Sequence, residues 1–436
     1  MAPPTRMVSS STGADRILSE TLEALRVGVS RHETSSRLFG IFMGGRLQAY
    51  GYALVAVYAV FFATAFRAGG WIVDSAGVPI YTDFAVWWAG GMQALHGNPA
   101  ALYDPGEFGK IQAALFRPEE AVYLNWPSYP PTFFLVLAPL ALMPYRYAFI
   151  TWDLVTLLGC AAVAYLIVRR SSAVALVLAS PFTAWNFIAA QNGFLTASLL
   201  GLSLLFLERQ PVLAGVFIGC LTYKPQYGIL FPAALVASHQ WRAVVGAGVA
   251  AALLAAASIA LFGADAWAVF PDGFVVQGKL SLGAGPGSNW GYLQTMYGLI
   301  RGLHGSARIA WLVQGLTTLA AAVVVWIVWR SRVRYALKAG TLSAAALIAT
   351  PYAFAYDMAV IVVPAAFLAT DQLRRGLLRG EQTLWIILFG APLAVLVTLG
   401  DNVGGPTFGG TPISLLAVIL LLGAILRRAR HPTAFA

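Results

Sequence analysis

The sequence predicts an all-α polytopic membrane protein, and three observations carry that reading. Only 11% of the residues are charged and 59% are hydrophobic, with a mean hydropathy of +0.72, whereas soluble domains carry about a quarter charged residues. Apolar runs near the length that crosses a bilayer recur along the chain. Lysine and arginine concentrate on alternate connections between those runs.

The stretch 1–45 is polar, mixes arginines with acids, and lacks the short apolar core and small-residue cleavage site of a signal peptide. It reads as a cytoplasmic tail with an amphipathic stretch near 14–29. About twelve crossings are expected, at roughly 48–67, 147–168, 172–189, 193–208, 211–223, 226–238, 242–262, 309–329, 337–349, 357–370, 384–400 and 411–426. Several fall short of a full span. With both termini cytoplasmic, 20 of the 28 basic residues lie inside, among them Arg169-Arg170, the Arg330 to Lys338 cluster and Arg427, Arg428 and Arg430. The net charge of +10 is then an orientation signal, and no nucleic-acid partner is implied.

Residues 46–428 form one membrane domain, followed by a cytoplasmic tail at 429–436; no repeat or linker divides it. The apolar segment 132–143 is not counted as a crossing, because doing so would invert every later loop; it is expected along the outer interface. The first outer loop, 68–146, then holds juxtamembrane helices, and a second large outer loop runs over 263–308. Cys160 and Cys220 sit inside apolar segments as small packing residues.

The chain is organised around residues 80–97. Phe84, Trp87, Trp88, Met92 and Leu95 recur at helical steps and predict an amphipathic interfacial helix that opens at Asp83 and stops at Gly97-Asn98-Pro99. Asp83 has two readings. One is a cap and macrodipole partner at the helix N-terminus. The other is a general base that takes a proton from an acceptor hydroxyl. Capping uses only part of a carboxylate's acceptor capacity, so the two are compatible.

The same face carries further polar signatures: Tyr103-Asp104, the run from Trp126 to Pro131 with Tyr129, Gln191-Asn192, Lys224 between Tyr223 and Pro225, Trp290, and the run from Thr350 to Asp357 with Tyr352 and Tyr356. Proline-broken backbone in a membrane is tolerated where it lines a cavity. Lys224 either snorkels to headgroups or presents a point charge to a phosphate. Tyr352, Tyr356, Trp87, Trp126, Tyr129 and Trp290 are either aromatic-belt anchors or surfaces for a sugar ring. Asp104 and Asp357 are candidate partners for sugar hydroxyls. Asp153, inside a crossing, is expected to make an interhelical hydrogen bond. No Walker loop or HExxH motif is present, the Gly283 to Gly287 run follows no strand, and His96 and His304 are too few for a zinc site. An activated substrate is therefore expected from a lipid carrier, with no metal and no cofactor.

These residues resemble glycosyltransferase family 87. The likeness rests on Asp83-Phe84, Gly97-Asn98-Pro99 and Tyr103-Asp104, then Tyr129-Pro130-Pro131, the run Ala138 to Pro144, Gln191-Asn192, Ala214-Gly215 through Lys224-Pro225, and Thr350-Pro351-Tyr352 to Tyr356-Asp357. It covers most of 48–426, with Ala190 where the family usually has a glycine. The resemblance implies a GT-C-like fold and an inverting hexosyltransferase of the bacterial inner (plasma) membrane, its site facing the periplasm. A polyprenyl-phosphate sugar, commonly mannose, is the implied donor, with Asp83 at the position of the family's base. The acceptor, a glycolipid or glycan, is left open.

Two other classes compete. A transporter or flippase of a lipid-linked saccharide should place ionisable groups near the midplane of related halves. An O-antigen ligase or polymerase should carry arginines in a large late loop, where this chain offers only Lys279, Arg301 and Arg308.

Overall fold

The computed structural model describes residues 47–80, 82–116, 129–282, 293–398 and 412–430. The expected N-terminal tail with its amphipathic stretch, Trp126, the Gly283 to Gly287 run and Trp290 lie outside the described residues. Within them the regular structure is helical, with three isolated β-bridges.

Helix α1 (Leu47–Arg67) leads into a long connection that carries α2 (Asp83–Leu95), α3 (Pro105–Leu115) and α4 (Phe134–Ala141). The bundle continues with α5 (Tyr145–Val168), α6 (Ser171–Ala179), α7 (Pro181–Ala189), α8 (Gly193–Phe206), α9 (Pro211–Cys220), α10 (Phe231–Ala237) and α11 (Trp241–Phe262). A second long connection holds α12 (Asp265–Leu282) and α13 (Met296–Gly302). The chain then runs through α14 (Ala307–Arg330), α15 (Tyr335–Ala349), α16 (Val362–Arg375), α17 (Glu381–Thr398) and α18 (Ile413–Arg430).

Among the described residues, four helices are long and apolar enough to cross a bilayer: α5, α11, α14 and the segment Ala355–Arg375 that ends in α16. The pair α6 and α7 makes a fifth if its 59° bend is one broken span. The other described crossings expected from sequence fall mostly on shorter apolar helices. Proline explains much of the shortening, since it lacks an N–H and clashes with the preceding turn. Pro181 separates α6 from α7, and Pro225 separates the 3-10 turns Leu221–Tyr223 and Pro225–Tyr227. The apolar segment Pro131–Ala141 is one of the short helices. Eleven residues at about 1.5 Å each reach only about half the ~30 Å hydrocarbon core. It packs against α2 instead of spanning.

Helix α15 sits at the centre, buried at every position from Ala339 to Ala349. Its alanines, with Gly340 and Ser343, let neighbouring helices approach closely. Helices α9 and α11 meet through Gly215, Gly219 and Gly246. A Cβ on Gly219 would lie 2.7 Å from the Ala247 carbonyl, and one on Gly246 would lie 2.7 Å from that of Val212. On the outer surface, α5, α11 and α14 expose Val155, Leu158, Val245, Leu253, Leu261, Leu312 and Leu319. Rows of exposed aliphatic side chains on saturated helices suit a lipid environment. Cys160 and Cys220 are both free thiols, the first buried.

Candidate active site

The site begins with a capped helix. Thr82 is extended (φ −144°, ψ 163°) and its Oγ1 accepts the Ala85 N–H at 3.4 Å, so Thr82, and not Asp83, is the N-cap of α2. Asp83 is the first helical residue, within the first turn, where the helix dipole favours a negative charge. It is half-buried. Phe84, fully buried, holds this turn on an aromatic floor, with ring centroids 5.9 Å from Tyr145, 5.3 Å from Phe149 and 6.4 Å from Trp152. Thr82 Oγ1 also lies 3.3 Å from the Tyr145 hydroxyl. Gly91 lets α2 lie directly on the backbone of Leu137 in α4.

The expected apolar stripe of α2 is only partly the buried one. Phe84 and Trp87 are buried, Trp88 and Met92 are half-buried, and Leu95 is 44% exposed. Ala85, Val86, Ala89, Gly90 and Gly91 are buried as well. The helix is enclosed between α4 and α5 and does not merely rest on a surface. Gly97 takes a positive φ of 76° just beyond the end, as expected of a helix stop.

Opposite α2, the break between α7 and α8 supplies the next residues. Ala190 closes α7 in the left-handed region (φ 45°, ψ 46°), a conformation glycine adopts without Cβ strain, and its carbonyl accepts the Trp152 indole N–H at 2.9 Å. That turn points Gln191 at α2. The Gln191 side-chain N–H donates to Asp83 Oδ2, and its Oε1 accepts the Asn192 backbone N–H at 3.2 Å.

Asn192 carries the connection onward. Its Oδ1 accepts from Lys224 Nζ at 2.7 Å, and the same ammonium lies 2.5 Å from Asp357 Oδ1. The second Asp357 oxygen accepts the Phe354 N–H at 3.0 Å. Lys224 lies between the two 3-10 turns and is 5% exposed; Asp357 is 1% exposed. Lys224 therefore does not snorkel to headgroups: a buried carboxylate holds it inside. Nearby, Thr196 and Tyr223 pair through their hydroxyls at 2.6 Å, and Tyr223 also donates to the Asn192 carbonyl at 3.3 Å.

Aromatic residues wall this network. Tyr129 and Phe133 stack on Tyr223 at 6.2 Å and 5.1 Å, and Trp87 meets the Tyr129 ring edge-on at 5.5 Å. Trp87 is thus an interior residue and not a belt anchor. Burial pushes the Tyr129 phenol well up from its ordinary range, and the Asp357 carboxylate adds to it. Tyr103, likewise raised by burial, donates to the Tyr129 carbonyl at 2.7 Å. Tyr356 lies within electrostatic reach of both Asp83 and Asp357.

Seven of the sequence candidates are therefore gathered: Asp83, Trp87, Tyr129, Gln191, Asn192, Lys224 and Asp357, with Tyr356 beside them. Two are not. Asp104 is exposed and caps α3 by accepting the Glu107 N–H at 2.9 Å. Tyr352 packs in a separate cluster with Leu293 and Tyr297. Asp153 is fully buried, and neither carboxylate oxygen has a hydrogen-bond partner among the described residues, so the expected interhelical bond is not made. The spacing arguments passed over Asn186, which is buried in α7 and donates to the Tyr356 carbonyl at 3.2 Å. An asparagine inside an otherwise apolar run was the available signal. Asn186 Oδ1 and the Tyr227 hydroxyl are buried without partners among the described residues, which leaves hydrogen-bonding capacity in the same interior.

A half-exposed carboxylate, a buried cation and a set of amide and hydroxyl groups between aromatic walls can move a proton and bind a polar ligand. No curated protein and no solved structure matches the chain. A sequence model of glycosyltransferase family 87 matches residues 126–351, just over half of the chain and inclusive of Gln191, Asn192 and Lys224. The chain belongs to glycosyltransferase family 87.

Proposed function

We propose that the protein moves a hexose, with mannose the first candidate, from a polyprenyl-phosphate donor to a hydroxyl of a lipid- or glycan-linked acceptor, with inversion at the anomeric carbon. The reading places this chemistry on the periplasmic face of a bacterial inner membrane, in a twelve-crossing topology with both termini cytoplasmic. Its main support is the position of Asp83: half-buried, at the positive end of α2, and joined through Gln191 and Asn192 to the Lys224 ammonium.

In this reaction Asp83 takes the acceptor proton as the acceptor oxygen attacks the anomeric carbon. The bond from that carbon to the phosphate oxygen breaks on the opposite face. The electron pair leaves with the polyprenyl phosphate, whose negative charge Lys224 stabilises. Tyr129, Asn192, Tyr356 and Asp357 orient the sugar. Alignment of the two substrates supplies much of the acceleration. A flippase would need no base, and its polar groups need not converge on a carboxylate at a helix start.

The test is incubation of the purified protein with a panel of polyprenyl-phosphate sugars and a glycolipid acceptor, scoring release of free polyprenyl phosphate. Asp83→Asn is expected to fold and insert while losing transfer by at least about a hundredfold. Turnover near that of the unaltered protein would remove Asp83 from the chemistry.

A further inference from the structure

We infer that the pair α9 and α11 holds an anionic phospholipid of the cytoplasmic leaflet, with one acyl chain in the groove between the two helices and the headgroup phosphate on Arg242. The inference rests on the membrane topology proposed above and does not depend on the transfer reaction.

The groove follows from small residues. A Cβ on Gly246 would lie 2.7 Å from the Val212 carbonyl, and one on Gly219 would lie 2.6 Å from the Ala250 Cβ. These contacts advance together along both helices, so α9 and α11 run parallel. Their glycines bring the backbones close, and the larger neighbours stand up as walls. Gly246 and Ala250 form the floor of the channel, with Val216, Val249 and Leu253 beside it. Its volume is about 730 Å³, within the ~300–1,000 Å³ of small-ligand sites. From Arg242 to Ala257 it follows α11 for about 22 Å, more than the ~15 Å depth of one leaflet. Val249 and Leu253 are each more than half exposed, so the channel opens sideways to lipid.

The two ends of the groove differ in charge. Trp241 and Arg242 stand exposed at the start of α11, as an indole and a cation do at a membrane surface. Arg209, also exposed, lies just before α9 at the same end. Among the described residues neither guanidinium has a hydrogen bond or an ion pair, and no acid lines the groove. A basic mouth on an apolar channel between transmembrane helices suits an anionic lipid headgroup on the cytoplasmic side.

The competing occupant is the prenyl tail of the proposed donor, because the far end of the groove reaches Cys220, four residues before Lys224. The cations decide between the two. A donor with its phosphate at Lys224 would bring only hydrocarbon to the Arg242 end, where charge complementarity asks for an anion.

The experiment counts lipids retained by the purified, delipidated protein after addition of phosphatidylglycerol or phosphatidylcholine, by native mass spectrometry, so turnover plays no part in it. The unaltered protein is expected to retain phosphatidylglycerol about fivefold or more over phosphatidylcholine. Arg242→Gln should lower that preference about fivefold, the worth of one cation at the surface. Arg330→Gln, which removes an exposed cation at the end of α14, should leave it unchanged. Val249→Trp fills the groove and should lower retention with both arginines in place. If Val249→Trp does not insert, the surface change Arg242→Gln decides. Equal losses in Arg242→Gln and Arg330→Gln would reduce the effect to general surface charge and overturn the site. Retention of an uncharged polyprenol in preference to phosphatidylglycerol would assign the groove to the donor tail, and would overturn it as well. Absence of transferase activity would sink the proposed reaction and leave this lipid site standing.

Discussion

The Lys224 ammonium and the Asp357 carboxylate, 133 residues apart in sequence, lie 2.5 Å from each other with both side chains almost fully buried. Neither is free to leave without exposing the other. Removing one member of such a pair typically costs about 3–5 kcal/mol, because the partner is left as an uncompensated buried charge. Lys224→Met is therefore expected to lower stability by about that much. The double variant Lys224→Met with Asp357→Leu should recover most of the loss and still not turn over. Thermal unfolding in detergent and the transfer assay read the two effects separately. Restored transfer in the double variant would make the pair purely structural.

Gly193 opens α8 at the centre of the network. A Cβ there would lie 2.5 Å from Asn186 Nδ2 and 2.8 Å from the Tyr356 carbonyl. The carbonyl belongs to backbone and cannot step aside cheaply. Gly193→Ala should disturb both groups and reduce turnover about tenfold or more, given the sensitivity of aligned sites to small displacements. Wild-type kinetics for this variant would show that Tyr356 and Asn186 play no part in alignment.

Away from the site, Arg428 gathers α16, α17 and α18. It bonds Glu381 at 2.6 Å through both Nε and Nη2, and Asp371 at 2.8 Å, and is 3% exposed. Arg334 shares Asp371 at 2.7 Å. Arg428→Met should cost about 3–5 kcal/mol. Arg427, whose side chain is 44% exposed and 3.6 Å from Glu381, should cost less than about 1 kcal/mol when changed to Met. Equal midpoints in unfolding for the two variants would refute this ranking.

Asp153 offers the opposite case. Its buried oxygens have no hydrogen-bond partner among the described residues, and an unsatisfied buried polar group costs about 1–3 kcal/mol. Asp153→Leu should raise stability by a similar amount, about 1–3 kcal/mol, and leave transfer intact. A folded but inactive variant would give this acid a function.

The sequence made the individual parts of the site legible far better than their meeting. The α2 start at Asp83 and its stop at Gly97 follow from local rules of periodicity and turn chemistry, and both were readable. The proline beside Lys224 was readable too, whereas 172–189 was expected as one crossing and its break at Pro181 was not. That Gln191 reaches Asp83 across 108 residues, or that Asp357 neutralises Lys224, is a long-range pairing on which periodicity is silent. Counting apolar runs also equates a straight span with a broken one, so twelve expected crossings sit beside four long apolar helices among the described residues. The spacing of Gly215 and Gly219 announces close helix contact, but run length alone passes over it.

Among the charged members of the chain from Asp83 to Asp357, the ion pair is sealed while the carboxylate of α2 keeps one side toward solvent. On the proposed reading, every catalytic cycle loads that carboxylate with a proton it must discard before the next acceptor arrives. Its partial exposure gives the proton a way out that the sealed pair lacks. Regeneration then needs no opening of the bundle, and the interior cation can keep its counter-ion throughout turnover.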